Sequence, residues 1–534
     1  MAAPHQPLPA TAARSPRYIE STDPATGAAN GRFEAADPAS LPIVFAWARG
    51  AQEKWAAKTL RDRCAMIKHL RDVIFASREE IIDVIVRETG KPRVEAIFAE
   101  ILLAFDTADF LARRAPRWLR PERVPHHIVA LKANSAWIEF EPLGVVAIIA
   151  PWNYPFSIPL AQVIPALLAG NAVLLKPSEL TPWTGSLIGE LFTRAKFPSH
   201  LVQVLQGAGE LGAAIIEAGP DKVFFTGSVA TGRVIAEACG RKLIPSVLEL
   251  GGKDAMIVLA DAHLETASSA AVWGSFTNCG QACLSVERIY VERPIAAKFT
   301  DLCIQKTKQL RIGPASDPDI EVGPMIRLGQ LEKVEEQLRE AEQRGATILA
   351  GGIRRLDLGP NFFAPTVIAS VSGSMRIMRE ETFGPVLAIQ TVESADEAIA
   401  LANDTPFALS GSIWTADARR GRELASRIRA GSVMVNDVAS YYGIAEAPHG
   451  GRGASGWGRT HSRLGLLEMV HSKYVDVDRL PRVPKSWWYG YSAEIATAAD
   501  RFVDLLFARD WKRRRNALVS RDGARALVFR GHRI

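Results

Sequence analysis

Cysteine is scarce: five in 534 residues, Cys64, Cys239, Cys279, Cys283 and Cys303. So few in so long a chain exclude a disulfide framework, and the odd count fits a reducing compartment. No segment approaches the run of about eighteen apolar residues that a membrane-spanning helix needs. The opening MAAPHQPLPATAARSPR lacks the apolar stretch of a secretory signal. It is acid-poor with two arginines and reads as a disordered leader over residues 1–18, a transit peptide being the alternative. A second Cys or His pair at ligand spacing is absent near Cys279 and Cys283, so no metal is expected. There is no internal repeat.

What is present is a large, ordinary core: 48% of residues are apolar and 23% charged, enough for two or three lobes. The net charge of +6 is misleading about partners. From Trp511 onward, Lys512, Arg513, Arg514, Arg515, Arg521, Arg525, Arg530 and Arg533 face one acid, Asp522, so that tail alone nets +7. The body is near neutral, which argues against nucleic acid as a partner.

From about Leu41 to Arg114 the chain has helical periodicity, with Gly90 and Pro92 as stop signals after REEIIDVIVRET. From Leu143 it changes to short apolar runs, VVAIIAP, NAVLLKPS, LVQVLQG and KVFFTGS, each a candidate buried strand. Helical segments such as PLAQVIPALLAG separate them, and a second alternating stretch spans about Ala255 to Asn436. Strands alternating with helices predict an α/β fold with parallel sheets. HHIVALKANSAWIEFEP alternates like an exposed two-stranded ribbon, which LEMVHSKYVDVD could join.

Several short stretches could carry chemistry. NCGQACLSV (Asn278 to Val286) holds Cys279 and Cys283, whose spacing alone allows half a metal site, a redox pair or one nucleophile with a buried neighbour. In KVFFTGSVATG, Gly227, Ser228 and Gly232 follow a strand into a helix start, where backbone N–H groups favour a pyrophosphate; the alternative is a plain turn. KPSE ends another strand with Lys176 and Glu179, and a strand-end carboxylate can bind ribose hydroxyls. Such a glutamate disfavours a 2′-phosphate. In VLELGGK, Glu249 sits in an apolar strand, where burial raises a carboxyl towards a useful general base; a strand-end salt bridge is the alternative. In PWNYPF, Asn153 could donate an N–H to a developing oxyanion, or be a turn residue bracketed by prolines.

Together PWNYPF, KPSE, FTGSVATG, LELGGK, NCGQAC, EETFGPV and SGWGR resemble, in order, the motifs of the NAD(P)-dependent aldehyde dehydrogenase superfamily, over roughly residues 20 to 480. The texture is nearest the fatty- and aromatic-aldehyde branch. The resemblance implies a Rossmann-like cofactor domain (19–123 and 143–249), an α/β catalytic domain (250–464), a small β oligomerisation ribbon (124–142 and 465–480) and an added C-terminal extension (481–534). It makes Cys283 the nucleophile and Cys279 a buried filler. Glu249 becomes the water-activating base, and Asn153 with the Cys283 N–H the oxyanion site. Lys176, Glu179, Gly227, Ser228 and Gly232 would hold the adenine half of NAD, NADP being the alternative. Trp152, Glu381 and Phe383 would lie on the nicotinamide side. The implied protein is a cytoplasmic homodimer or homotetramer that oxidises an aldehyde through a thiohemiacetal and a thioester. A semialdehyde dehydrogenase of the same mechanism and a catalytically idle scaffold are the competing readings.

Two features depart from the family. The usual PFGGxKxSG appears as PHGGRGASG, with His449 in the aromatic position and Arg452 beside the usual lysine position. The predicted tunnel, Trp152, Tyr154, Phe156, Trp273 and Leu284 with a Tyr441–Tyr442 cap, offers no evident arginine for a substrate carboxylate, which favours a medium-chain aliphatic or aromatic aldehyde. Finally, KSWWYGYS and the amphipathic SAEIATAADRFVDLLFARDWKRRR suggest peripheral membrane contact or a helix packed on the dimer.

Overall fold

The computed structural model describes residues 18–127, 131–482, 485 and 487–519. The expected leader through residue 17 and the basic residues Arg521, Arg525, Arg530 and Arg533 lie outside the described residues.

In chain order the strands are β1 (Tyr18–Thr22), β2 (Ala29–Glu34), β3 (Glu122–Val124), β4 (Ser135–Pro142), β5 (Val145–Ile149), β6 (Ala172–Lys176), β7 (Val202–Val204), β8 (Lys222–Thr226), β9 (Ser246–Glu249), β10 (Asp254–Val258), β11 (Val286–Glu292), β12 (Thr347–Ala350), β13 (Thr366–Ala369), β14 (Val386–Val392), β15 (Ser410–Trp414), β16 (Ser432–Val435), β17 (Gly456–Trp457) and β18 (Val470–Val477). The chain forms two compact units, Met1–Leu119 with Glu141–His471, and Arg120–Phe140 with Ser472–Ile534.

The larger unit holds two sheets, and both bear out the expected α/β class. The first has six strands in the order β17-β9-β8-β5-β6-β7. Its five parallel strands run outward from β5 in both directions, the doubly wound arrangement whose crevice lies at the strands' carboxyl ends. Every residue of β5 and β6 is buried, as a parallel sheet covered on both faces requires. The helix Ser157–Ala169 is likewise buried along its whole length, which explains its lack of a polar face. The second sheet has seven strands, β12-β13-β14-β11-β10-β15-β16, parallel except for β12 on β13. Each sheet has its own apolar core.

The expected strands VVAIIAP, NAVLLKPS, LVQVLQG and KVFFTGS are β5 to β8. One local reading is adjusted, and residues 18–34 hold an element that no expectation covered. Residues 18–34 contain a hairpin, β1 with β2, turned by Asp23, whose carboxylate accepts the Ala25 N–H at 2.8 Å, and by Gly27 at φ 76°. The ribbon has three strands, in the order β18-β4-β3, and the strand paired with β4 on its β3 side is Glu122–Val124; residues 128–130 of the expected first strand lie outside the described residues. Pro125 ends that strand, and Asn134 closes a turn by donating its N–H to the Leu131 carbonyl at 2.9 Å.

Candidate active site

The candidate residues collect where the two sheets of the larger unit present opposite ends. Carboxyl ends of the six-stranded sheet supply Asn153 after β5, Lys176 at the end of β6, Gly227 and Ser228 after β8 and Glu249 at the end of β9. Amino ends of the seven-stranded sheet supply Asp254, then Cys283 just before β11 and Glu381 with Phe383 just before β14. The glycine pair of LELGGK makes this meeting possible. A Cβ on Gly251 would lie 2.5 Å from the Glu381 carboxylate, and one on Gly252 would lie 2.4 Å from the Cys283 carbonyl oxygen.

The loop before Cys283 is wound left-handed at three consecutive residues: Asn278 (φ 50°), Cys279 (φ 57°) and Gly280 (φ 70°). For the two that carry a side chain this costs on the order of 1–3 kcal/mol each, so other groups must over-determine it. Buried neighbours do so. The Glu95 carboxylate accepts the Asn278 N–H at 2.9 Å and the Thr277 hydroxyl at 3.0 Å. The Asn278 side chain donates to the Asn153 carbonyl at 3.0 Å, which also accepts Lys91 Nζ at 2.8 Å. Gln281 is pinned at both ends, donating to the Asn278 carbonyl at 3.0 Å and accepting the Ile326 N–H at 2.8 Å. A Cβ on Gly280 would lie 2.1 Å from the Gly384 carbonyl, so this glycine serves both the backbone angle and the approach of the EETFG loop. Cys279 is buried in the second core, whereas Cys283 is partly exposed. All five cysteines are free.

The electrostatics around Cys283 are acidic. Burial pushes its thiol up, and Asp254, Glu381 and Glu249 push further in the same direction. Glu249 is 4% exposed, and neither carboxylate oxygen accepts a well-formed hydrogen bond among the described residues. Burial holds its carboxyl well above the usual range, partly opposed by Arg459 and Thr460. Asn153 is also 4% exposed, and one amide N–H donates to the Gln281 carbonyl at 3.1 Å. No other acceptor for that amide lies among the described residues.

On the cofactor side, Ser228 caps the helix Val229–Arg241 by accepting the Thr231 N–H at 3.2 Å, and it is exposed. Gly232 faces Leu250, whose side chain would be 2.5 Å from an added Cβ. Lys176 Nζ lies 3.4 Å from Glu179, whose carboxylate is about half exposed. Glu381 accepts the Gly252 N–H at 3.1 Å, and burial, with Glu287 nearby, pushes its carboxyl up to about 7. Trp152 meets Phe383 edge-on at 5.5 Å. An exposed capped helix start, glycines without room for a side chain and a strand-end Lys–Glu pair fit a dinucleotide.

Residues without a local sequence signal complete the site. Glu287 accepts the backbone N–H groups of Thr382, at 2.8 Å, and Phe383, at 3.0 Å, and pairs with buried Lys253. Only Lys253, inside LELGGK, lies in a stretch that sequence inspection singles out. Glu95 and Lys91 sit among ordinary helix-boundary charges and become visible only through their partners. Of the predicted tunnel residues, Leu284 and Tyr441 cluster with Leu409, and Cys283 and Tyr442 pack against them. Phe156 does not line a tunnel: it is fully buried in the first core. Trp273 is 51% exposed on the helix Leu264–Phe276.

Comparison with known proteins agrees over nearly the whole length. The model of the aldehyde dehydrogenase family matches residues 11–475. A 4,4'-diapolycopene aldehyde oxidase of a Methylomonas species is 39% identical over 494 residues, covering 92% of each chain. A Mycolicibacterium smegmatis protein with the provisional name succinate-semialdehyde dehydrogenase (NADP+) is 40% identical over 442 residues, 82% of this chain and 85% of its own. Among solved structures, the NAD+ complex of an aldehyde dehydrogenase from Bacillus cereus superposes with a TM-score of 0.83 at 32% identity, covering 86% of this chain and 93% of that one. Seven motifs in order, two α/β sheets and matches of this extent place the chain in the aldehyde dehydrogenase family, as an NAD(P)-dependent aldehyde dehydrogenase.

Proposed function

We propose that this enzyme oxidises an apolar aldehyde, medium-chain aliphatic or aromatic, to the carboxylic acid, with NAD preferred over NADP. The observation that carries the substrate reading is the surroundings of Cys283. Its packed neighbours are Leu284, Leu409, Tyr441 and Tyr442, and the charges acting on it most strongly are carboxylates. A substrate carboxylate would be desolvated there with no positive charge among the groups acting on Cys283 to offset it, which weighs against a semialdehyde. The relative named for 4,4'-diapolycopene aldehyde agrees with this reading, and the one named for succinate semialdehyde with the other. Glu179 supports NAD, because its carboxylate would repel a 2′-phosphate.

Cys283 Sγ attacks the carbonyl carbon to give a thiohemiacetal. The free amide N–H of Asn153 and the Cys283 backbone N–H hold the oxyanion. Trp152, Glu381 and Phe383 would hold the nicotinamide of NAD, and Lys176, Glu179, Gly227, Ser228 and Gly232 its adenine half; the cofactor would supply the acceptor for the hydride that the thiohemiacetal loses on becoming a thioester. Glu249 then takes a proton from the water that attacks the thioester, releasing the acid and the thiol. In this reading the six-stranded sheet supplies the base, the oxyanion donor and the adenine-side residues, and the seven-stranded sheet the nucleophile and the nicotinamide-side residues. Absorbance at the NADH band, with hexanal, benzaldehyde and succinic semialdehyde each offered with NAD and NADP, tests both preferences. A kcat/KM highest for succinic semialdehyde would overturn the apolar reading.

The smaller unit supports two partner readings. The ribbon joins copies of the chain into a homodimer or homotetramer, which sedimentation equilibrium tests. The C-terminal helices touch an anionic bilayer from the cytoplasmic side, where five free thiols persist. No helix among the described residues is long and apolar enough to cross a membrane. The helix Ala493–Phe507 has no buried residue, and exposed Trp487, Trp488, Tyr489, Phe507 and Trp511 accompany exposed Lys512 to Arg515. Equal pelleting with phosphatidylglycerol vesicles by the full chain and a variant ending at Arg482 would end that reading.

A further inference from the structure

His449, the departure from the family's aromatic, is 4% exposed and faces the base. Its Nε2 lies 3.3 Å from Glu249 Oε2, and its Nδ1 lies 3.1 Å from the Tyr441 hydroxyl. Two backbone hydrogen bonds with Thr460, at 3.0 and 2.8 Å, hold the residue in place, and Tyr442 packs edge-on at 4.8 Å. A carboxylate buried without donors is costly, and His449 is, with Thr460, a nearby side chain able to supply one.

We infer that His449 is the positioning residue of the base, its Nε2–H directed at the Glu249 carboxylate because the Tyr441 hydroxyl donates to Nδ1 and selects that tautomer. This rests on the reading of Glu249 as the base. Burial, together with His461 and Arg459, holds the imidazole well below its usual range, so it acts as a neutral donor. Burial likewise pushes the Tyr441 phenol up, which keeps its proton available to Nδ1. The other groups that act on Glu249 are Arg459 and Thr460, which favour its charged form, and Glu468, which disfavours it. Cys283 and Tyr442 face it as well. A donated N–H favours the ionised carboxylate, so losing it raises the pH at which the base becomes active.

The test is the pH profile of kcat and the pre-steady-state NADH burst, measured on the full-length enzyme with NAD and hexanal. His449→Phe, which restores the family's aromatic, moves the acid limb of kcat upward by about one pH unit while the burst amplitude stays. Below that limb, turnover falls about tenfold. His449→Gln, whose amide can still donate, recovers part of the shift. Tyr441→Phe shifts the limb less, in the same direction. An acid limb unmoved in His449→Phe overturns the inference, as does an equal shift in His449→Phe and His449→Gln. Full turnover in Glu249→Gln overturns the reading of the base itself, which separates the two failures.

Discussion

The loop before Cys283 and the strand that ends in Glu249 are built in opposite ways within one site. Before Cys283, three left-handed residues sit in a network of five hydrogen bonds of 2.8–3.0 Å that runs through Glu95, Thr277, Asn278, Asn153, Lys91 and Gln281. At Glu249 both carboxylate oxygens lack a well-formed bond. A nucleophile must meet the carbonyl carbon in one geometry, and misplacement by about 1 Å can cost a hundredfold. The proposed base has few partners, the inferred His449 N–H among them. The comparison teaches that the loop before Cys283 is over-determined and strained, whereas Glu249 is held lightly.

The sharpest way to break it is to remove the sulfur. Cys283→Ala should lose turnover by on the order of 10⁴-fold or more, read as NADH formation, with the melting temperature nearly unchanged. Glu249→Gln should lose about 10²–10⁴-fold in steady-state turnover yet keep the NADH burst, because acylation precedes the step it serves. Stopped-flow absorbance separates the two phases, and an absent burst would place Glu249 earlier in the reaction. Glu95→Gln touches neither substrate nor base. It should lower stability by about 1–3 kcal/mol in chemical denaturation and slow the burst about tenfold, because one of the two carboxylate oxygens facing the Asn278 N–H becomes a donor. The mildest perturbation is pH. With no cofactor added, the raised Cys283 thiol leaves little thiolate near neutrality, so labelling by iodoacetamide should climb with pH past the usual thiol pKa of about 8.5. A plateau near neutral pH, followed by mass spectrometry of the labelled peptide, would show a nucleophile already ionised.

Much of the fold was legible. Continuous apolar runs such as VVAIIA and AVLLK are what strands buried on both faces must be, and their alternation with helices implied parallel sheets. The hairpin of residues 18–34 escaped because β2, ANGRFE, has no buried residue and so no hydrophobic pattern to read. The ribbon's first strand escaped because ERV is only three residues long and ends at Pro125. Phe156 belongs to the core because PWNYPF leads directly into a helix buried on every side, which an aromatic count in the sequence does not reveal.

The candidates for local chemistry came from the chain's order of residues: a cysteine two places after Gln281, a glutamate closing an apolar strand and glycines beside strand ends. These depend on neighbours in sequence, so a linear reading finds them. Tertiary structure alone decided which charges meet. Glu95 reaches Asn278, Glu287 reaches the loop after Glu381, and His449 reaches Glu249, each across tens to hundreds of residues. Burial sets the ionisation of such groups, and burial is a property of the assembled sheets and not of any stretch of the chain.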